Sequence, residues 1–232
     1  MADVCVTGAS RGIGLGFARA YLAKGDRVFG AVRNLESEAV IELSAQYSRS
    51  FTPVQMDVSN RESVERAARE IGRHTDTLDI LINNAGRALP PEEQRIEDIS
   101  EADIRSLFEV NTLGPLRVSQ ELFGLLRASA NARIVMISSN AGSIAGQGGG
   151  RGVPYCVSKA ALNMLTRLLS FHCAAEGVAI VAIHPGWVAT DMGGAGGTLT
   201  VEESVSRMTE LIAALTTDSL LYVDYTGTEM PW

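Results

Sequence analysis

Tyr155 and Lys159 stand four positions apart, with a largely apolar run, 160–165, behind them. On a helix that spacing puts a phenol and an ammonium on one face, one above the other. Each titrates near pH 10 alone. A fixed positive charge beside the phenol favours phenolate and lowers its pKa, so the hydroxyl can give and take a proton nearer neutral pH. Upstream, Ser138 and Ser139 close an apolar run at 133–137. A strand-end hydroxyl beside a Tyr–Lys pair can hold a carbonyl oxygen while the phenol protonates it. Pairs at this spacing also arise by chance, so the elements around them decide.

Strand and helix signals alternate along the whole chain. Short apolar runs at 4–6, 27–32, 52–58, 78–82, 133–137, 178–183 and 220–223 read as strands. Helical patterns fill 12–24, 35–47, 59–73 with Ser59 as cap, about 100–128, 154–176 and 201–215. Gly25 stands where a left-handed residue ends the first helix, Ser100 to Asp103 resembles a capping box, and Pro115 marks a break. The strands are continuous apolar runs, the signature of a parallel sheet covered on both faces. The expectation is one α/β domain over 1–232: a Rossmann-like, doubly wound parallel sheet of about seven strands with helices on both sides. Two glycine-rich stretches, 142–152 and 193–197, read as mobile loops.

Ligand-binding residues in such a sheet gather at the C-terminal strand ends. After the first strand, Thr7-Gly8-Ala9-Ser10-Arg11-Gly12-Ile13-Gly14 opens the first helix. Its glycines let the backbone approach a pyrophosphate, whose charge sits at the helix N-terminus. The second strand ends Ala31-Val32-Arg33-Asn34. An acid there would repel a 2′-phosphate, whereas Arg33 can pair with it and Arg11 can add a second positive group. NADP(H) is therefore expected over NAD(H). Asp57 with Val58 follows the third strand, and Asn83-Asn84-Ala85-Gly86 the fourth. Asp57 can accept from an adenine amine, and Asn83 and Gly86 can shape the cleft floor; turn formation would select the same residues. After the sixth strand comes Pro185-Gly186-Trp187-Val188-Ala189-Thr190-Asp191, whose backbone and Thr190 can face the cofactor's amide end.

Composition narrows the partners. The 232 residues are 46% apolar and 20% charged, with a net charge of −7 and no basic patch. Nucleic acid and anionic membranes are poor partners for such a surface. No apolar stretch approaches the ~18 residues of a membrane span, and the N-terminus lacks the pattern of a signal peptide. Cys5, Cys156 and Cys173 are odd in number and widely spaced, which fits a reducing cytoplasm, and with His74, His172 and His184 they show no metal-ligand spacing. A Ser–His–Asp hydrolase is disfavoured, since Ser139 is followed by Asn140, Ala141 and Gly142 rather than a Gly-x-Ser-x-Gly elbow.

TGASRGIG, NNAG, the Asn of VNTLGP, ISS, YCVSK and HPGWVATDM stand in the order seen in the short-chain dehydrogenase/reductase family, and the chain resembles that family over nearly its whole length. Chain length and the YTGTEMPW ending resemble its carbonyl-reductase-like branch, related to sniffer and the bacterial C-factor. The resemblance implies a hydride transfer between nicotinamide and a carbonyl or alcohol. Tyr155 would be the general acid or base, and Lys159 would lower its pKa and bond the nicotinamide ribose. Ser139, rather than Ser138, would hold the substrate oxygen, and Asn111 would anchor a water of the proton relay. Gly8, Gly12, Ile13 and Gly14 would contact the dinucleotide, Asp57 and Val58 the adenine, Asn83 and Ala85 the ribose region, and Thr190 the carboxamide. The gap between Ser139 and Tyr155 is longer than the family's usual one, with the excess in 148–152. C-factor-like relatives also raise a second reading, a dinucleotide-binding signalling protein with little turnover. Substrate identity stays open, as do monomer, homodimer and homotetramer.

Overall fold

Side chains of the first two strands alternate, residue by residue, between two apolar layers. In β1 (Asp3–Thr7), Val4 and Val6 join one apolar layer while Cys5 joins the opposite one. In β2 (Arg27–Val32), Val28 and Val32 face the first layer, Phe29 and Ala31 the second. Successive side chains of a strand point to opposite faces, so a sheet whose strands are apolar throughout must be covered on both. The computed structural model describes residues 1–89, 95–194 and 196–232, and shows that arrangement.

The remaining strands are β3 (Phe51–Gln55), β4 (Ile80–Asn83), β5 (Arg133–Ile137), β6 (Ala179–His184) and β7 (Tyr222–Asp224). All pair in parallel in the order β3-β2-β1-β4-β5-β6-β7. Helices α1 (Gly12–Ala23), α2 (Glu38–Gln46) and α7 (Val201–Ala214) cover one face, through Phe17, Leu43 and Met208 among others. Helices α3 (Arg61–Gly72), α5 (Gly114–Arg127) and α6 (Val153–Ala175) cover the other, through Ile71, Leu122 and Leu162. Strand order reverses between β1 and β4, which makes their C-terminal ends the switch point where a crevice opens. Pro53 is tolerated in β3 because that strand lies at the sheet edge.

Local signals set most boundaries. Gly25 has φ +85°, the left-handed stop expected after α1. The cap of α3 is Asn60, whose side chain accepts from the Ser63 N–H at 3.0 Å, and not Ser59. The Ser59 hydroxyl is taken instead by Asp57 at 2.6 Å. Ser100 caps α4 (Glu101–Phe108) by accepting from the Asp103 N–H at 3.2 Å. A reciprocal capping box opens α7, where Thr200 accepts from the Glu203 N–H and Glu203 accepts from the Thr200 N–H.

Pro115 does more than mark a break. It carries no N–H, so the α-helical bond from position 115 to the Asn111 carbonyl cannot form. The chain takes a π-turn over Glu109–Leu113, with the Gly114 N–H bonded to the Glu109 carbonyl, before α5 resumes.

The capping box at α7 predicts that Thr200→Ala lowers the unfolding free energy by about 1 kcal/mol, read as a lower urea midpoint at unchanged slope; an unchanged midpoint would show the cap to be idle.

Candidate active site

Thr7 ends β1 and joins the two halves of the crevice. Its hydroxyl donates to the Ile82 carbonyl (3.3 Å) and accepts the N–H groups of Asn84 (3.0 Å) and Ala85 (2.9 Å). The Asn84 amide returns the link by donating to the Thr7 carbonyl at 2.8 Å. The glycine-rich turn is thereby packed against the loop after β4. A Cβ on Gly14 would lie 2.2 Å from the Gly8 carbonyl oxygen, and one on Gly8 would lie 3.1 Å from Ala85. No side-chain cap and no acidic residue occupies the first turn of α1, so its N–H groups are left to an anion. These features fit a dinucleotide pyrophosphate. Ser10 is half-buried within the turn, and Ile13 packs on the core below it.

The segment after β6 faces the same turn. Thr190 Cγ2 lies 3.4 Å from where a Gly12 Cβ would stand. The Pro185 carbonyl accepts from Ser204 on α7 at 2.6 Å, Gly186 turns with φ +82°, and Val188 is buried and paired with Leu199. Thr190 Oγ1 accepts from the Gly193 N–H at 3.0 Å. Glycines 193 and 197 serve close approach: an added Cβ would meet the Val188 carbonyl at 2.0 Å or the Ala189 nitrogen at 2.3 Å. Ala195, inside the 193–197 stretch, lies outside the described residues. Arg11 spans the mouth to Asp191 at 2.9 Å, both side chains largely exposed. The second positive group expected at Arg11 is present in the turn and is paired with Asp191. Exposed pairs of this kind are worth no more than about 1 kcal/mol.

At the far end of the crevice, Arg33 is exposed at the end of β2 and forms no ion pair among the described residues. It lies close enough to Asp57 to help hold that carboxyl below its usual range, the larger cause being the Ser59 hydroxyl. Val58 is buried and supports Gly114, whose Cβ would meet it at 2.9 Å. The Asn83 side chain is a correction. It points away from the crevice, donating to Ser119 on α5 at 3.1 Å, because a strand's last residue still alternates faces. Any contact Asn83 makes with a ligand falls to its main chain.

The two serines separate cleanly. Ser138 Oγ donates to Asn163 at 2.6 Å inside the core. Ser139 Oγ accepts from the Ala141 N–H at 3.1 Å and faces the Tyr155 phenol. The long loop between them does bulge outward, with residues 144–151 exposed and open space around Gly148, Gly149 and Gly150. Gly152, at φ +64°, then turns the chain into α6 and sets Tyr155 in its first turn. One turn on, Lys159 is buried and donates to the Ile137 carbonyl at 2.8 Å. Its Nζ is 5.8 Å from the Tyr155 ring centre and 4.0 Å from where a Gly86 Cβ would be. The Asn111 side chain clamps the Arg87 backbone, accepting its N–H and donating to its carbonyl, both at 2.8 Å, and also donates to Ser158 at 3.0 Å. Asn111 therefore ties the loop after β4 to α6, with its side chain fully used.

Charge in this group is governed by burial. Desolvation pushes the Tyr155 phenol up to about 12, with Ser139 acting the other way and Cys156 adding to the rise. Desolvation likewise draws Lys159 down to about 8. Lys159 is not among the groups that move the phenol, so the expected lowering by its lysine is not seen, and burial dominates both side chains. Asn84, Ser158 and Asn163, all central to the geometry, were not singled out from sequence; Asn84 and Ser158 lay within the NNAG and YCVSK motifs, Asn163 in none.

The family model described as short chain dehydrogenase matches residues 2–197. The chain belongs to the short-chain dehydrogenase/reductase family of oxidoreductases. Among family proteins, it is 42% identical over 159 residues to the C-signal of Myxococcus xanthus, a match covering 68% of this chain and 95% of that protein. The structure of NADPH bound carbonyl reductase from chicken fatty liver superposes with a TM-score of 0.92 at 35% identity, covering 100% of this chain and 99% of the other. Carbonyl reductase Sniffer of D. melanogaster gives 0.93 at 29% identity, with both chains covered completely. No helix of the described residues is long and apolar enough to cross a membrane.

The buried lysine carries a signed prediction. With Lys159 near 8 folded and 10.5 in its ordinary state, the unfolded chain binds more protons between those values. The cost of burying the charge is full below about pH 8 and is relieved as pH rises toward the unfolded value. Relative to Lys159→Met, the wild-type protein gains stability across that window, on the order of 3 kcal/mol. Urea unfolding of both proteins at about pH 7 and pH 10 measures it; a difference constant with pH would refute the depressed pKa.

Proposed function

We propose that the chain is a single-domain NADP(H)-dependent carbonyl reductase, with Tyr155 as general acid. The observation that carries this reading is the meeting of the Ser139 hydroxyl, the Tyr155 phenol and the buried Lys159 amine at the C-terminal end of β5. When bound, the dinucleotide supplies the hydride. The first turn of α1 and the Gly8–Gly14 backbone hold its pyrophosphate, and Lys159, across from Gly86, reaches the nicotinamide ribose. Ser139 Oγ orients the carbonyl oxygen. Tyr155, held protonated by burial, donates its phenolic proton to that oxygen as negative charge develops on it, an acid contribution of about 10² to 10⁴ in rate. Positioning the carbonyl against the hydride donor supplies much of the rest. Asn111 keeps the Gly86–Arg87 backbone in place against α6. Asp57 and Val58 line the adenine end, Ala85 the ribose region, and Pro185, Gly186, Val188 and Thr190 the carboxamide end.

Preference for NADP(H) rests on Arg33, an exposed guanidinium at the end of β2 where an acid would repel a 2′-phosphate. The NADPH bound by the chicken liver reductase supports it. The 42% match to the C-signal favours a second reading, a dinucleotide-binding signalling protein with little turnover. A panel of an aldehyde, a ketone and a quinone separates the two: NADPH oxidation supports the reductase, and tight NADPH binding with no turnover supports the rival.

Tyr155→Phe is expected to abolish carbonyl-dependent NADPH oxidation while leaving the NADPH dissociation constant unchanged by fluorescence titration; turnover like wild type would remove Tyr155 from the mechanism. Arg33→Ala should weaken NADPH binding by about 10-fold or more, the worth of a charge-assisted bond, and leave NADH binding unaltered. Equal loss for both nucleotides would contradict the 2′-phosphate assignment.

A further inference from the structure

Ser139 is held from a direction that the proposed chemistry does not use. Tyr222, on the edge strand β7, reaches across β6 and donates its hydroxyl to the Ser139 main-chain carbonyl at 2.7 Å. The path is open because Ala182 pairs with Tyr222 and is too small to block the ring. Tyr222 is 1% exposed, so this bond is sheltered from water. Asn163 fixes the neighbouring atoms: it accepts from Ser138 at 2.6 Å, donates to the Gly142 carbonyl at 3.1 Å, and faces the Tyr222 hydroxyl.

The Tyr222 ring is in turn gripped from outside. After β7, Asp224 accepts from Thr226 and Thr228 in a turn that folds the chain back, and the Met230 N–H bonds the Tyr222 carbonyl at 3.0 Å. This sets the Trp232 ring 5.4 Å from that of Tyr222, centre to centre. The Trp232 carbonyl accepts from Ala145 at 2.8 Å, in the loop that follows Ser139. A surface cavity of about 340 Å³ lined by Arg167, Leu220, Tyr222 and Trp232 lies beside this contact.

We propose that Tyr222, clamped by Trp232, is a positioning residue for Ser139: its bond to the Ser139 carbonyl aims the Ser139 hydroxyl at the Tyr155 phenol. The catalytic consequence rests on the carbonyl-reductase reading; the clamp itself does not. Ser139 has extended backbone angles and lies two residues beyond the end of β5, followed by a tight turn at Asn140–Gly142. Without an anchor on its carbonyl, rotation of that peptide would swing the hydroxyl, and misplacement by about 1 Å at a reacting centre can cost up to 100-fold in rate.

The test uses the full chain, with 4-nitrobenzaldehyde as carbonyl probe, and the variants Tyr222→Phe, Trp232→Ala, Ser139→Ala and Ser139→Ala/Tyr222→Phe. Tyr222→Phe keeps the ring and its packing. The expected result is a fall in kcat of roughly tenfold with the NADPH dissociation constant unchanged, a smaller fall for Trp232→Ala, and almost no further loss when Tyr222→Phe is added to Ser139→Ala. Losses that multiply in the double variant mean Tyr222 acts elsewhere and overturn the proposal. A second readout needs no turnover: the carbonyl ¹³C resonance of Ser139, labelled with ¹³C-serine and ¹⁵N-asparagine, should move in Tyr222→Phe and in Trp232→Ala. An unmoved resonance overturns the clamp. A wild-type protein that binds NADPH but reduces no carbonyl sinks the reductase reading instead, and the Ser139 resonance then decides the clamp alone.

Discussion

The site depends on one hydroxyl at the point where the sheet changes direction. Thr7 Oγ1 donates to the carbonyl of Ile82 and accepts two successive N–H groups, those of Asn84 and Ala85. Parallel strands end with unpaired main-chain groups, and at a switch point the chains leaving β1 and β4 diverge to opposite faces. Buried polar atoms there need partners from the other half. Thr7 and Asn84 provide them for each other. The glycine turn can then lie flat against the β4 loop, close enough that a Cβ at Gly14 would collide with Gly8. The glycine turn, which would face the phosphates of a dinucleotide, is positioned by that seam.

From the seam, polar side chains rather than apolar packing carry order toward the reacting end. Asn111 links Arg87 to Ser158, Thr112 donates to the Ser158 carbonyl, and Lys159 donates to Ile137 at the end of β5. Directional bonds suit this task. Apolar contacts tolerate small slides, whereas a hydrogen bond weakens steeply with angle. The π-turn over Glu109–Leu113 is part of the same chain, since it is Pro115 that bars the regular helix bond to Asn111.

How much of this could be read beforehand follows from the range of each cause. β2 and β5 carry the bounds expected from their apolar runs, and the seven-stranded parallel sheet follows from strand composition. Differences arose where two neighbouring residues can do the same job. Ser59 and Asn60 can each cap a helix, and the choice went to Asn60 because Asp57 holds the Ser59 hydroxyl. α7 starts at Val201, as expected from its pattern, although the Thr200–Glu203 capping box behind that start was not singled out. Motif residues reached the crevice as a group, yet Asn83 turned its side chain inward and Arg11 found Asp191, 180 positions away. Partners such as Asn84–Thr7 and Tyr222–Ser139 depend on which strand ends meet, and that is a property of the topology.

Burial governs the charge of the Tyr155–Lys159 pair. A lysine beside a tyrosine invites an ion pair, but each ion must first be stripped of water, and two desolvation costs can exceed one Coulomb gain. Here the phenol moves up to about 12 and the amine down to about 8. At neutral pH the phenol therefore keeps its proton. A protonated phenol is the form that donates, and an alkoxide emerging from a carbonyl is basic enough to take the proton without the phenol being acidified first. In the opposite direction the phenol must lose a proton from a value far above neutrality. The phenol owes its protonated state first to burial, with Ser139 opposing the rise and Cys156 adding to it.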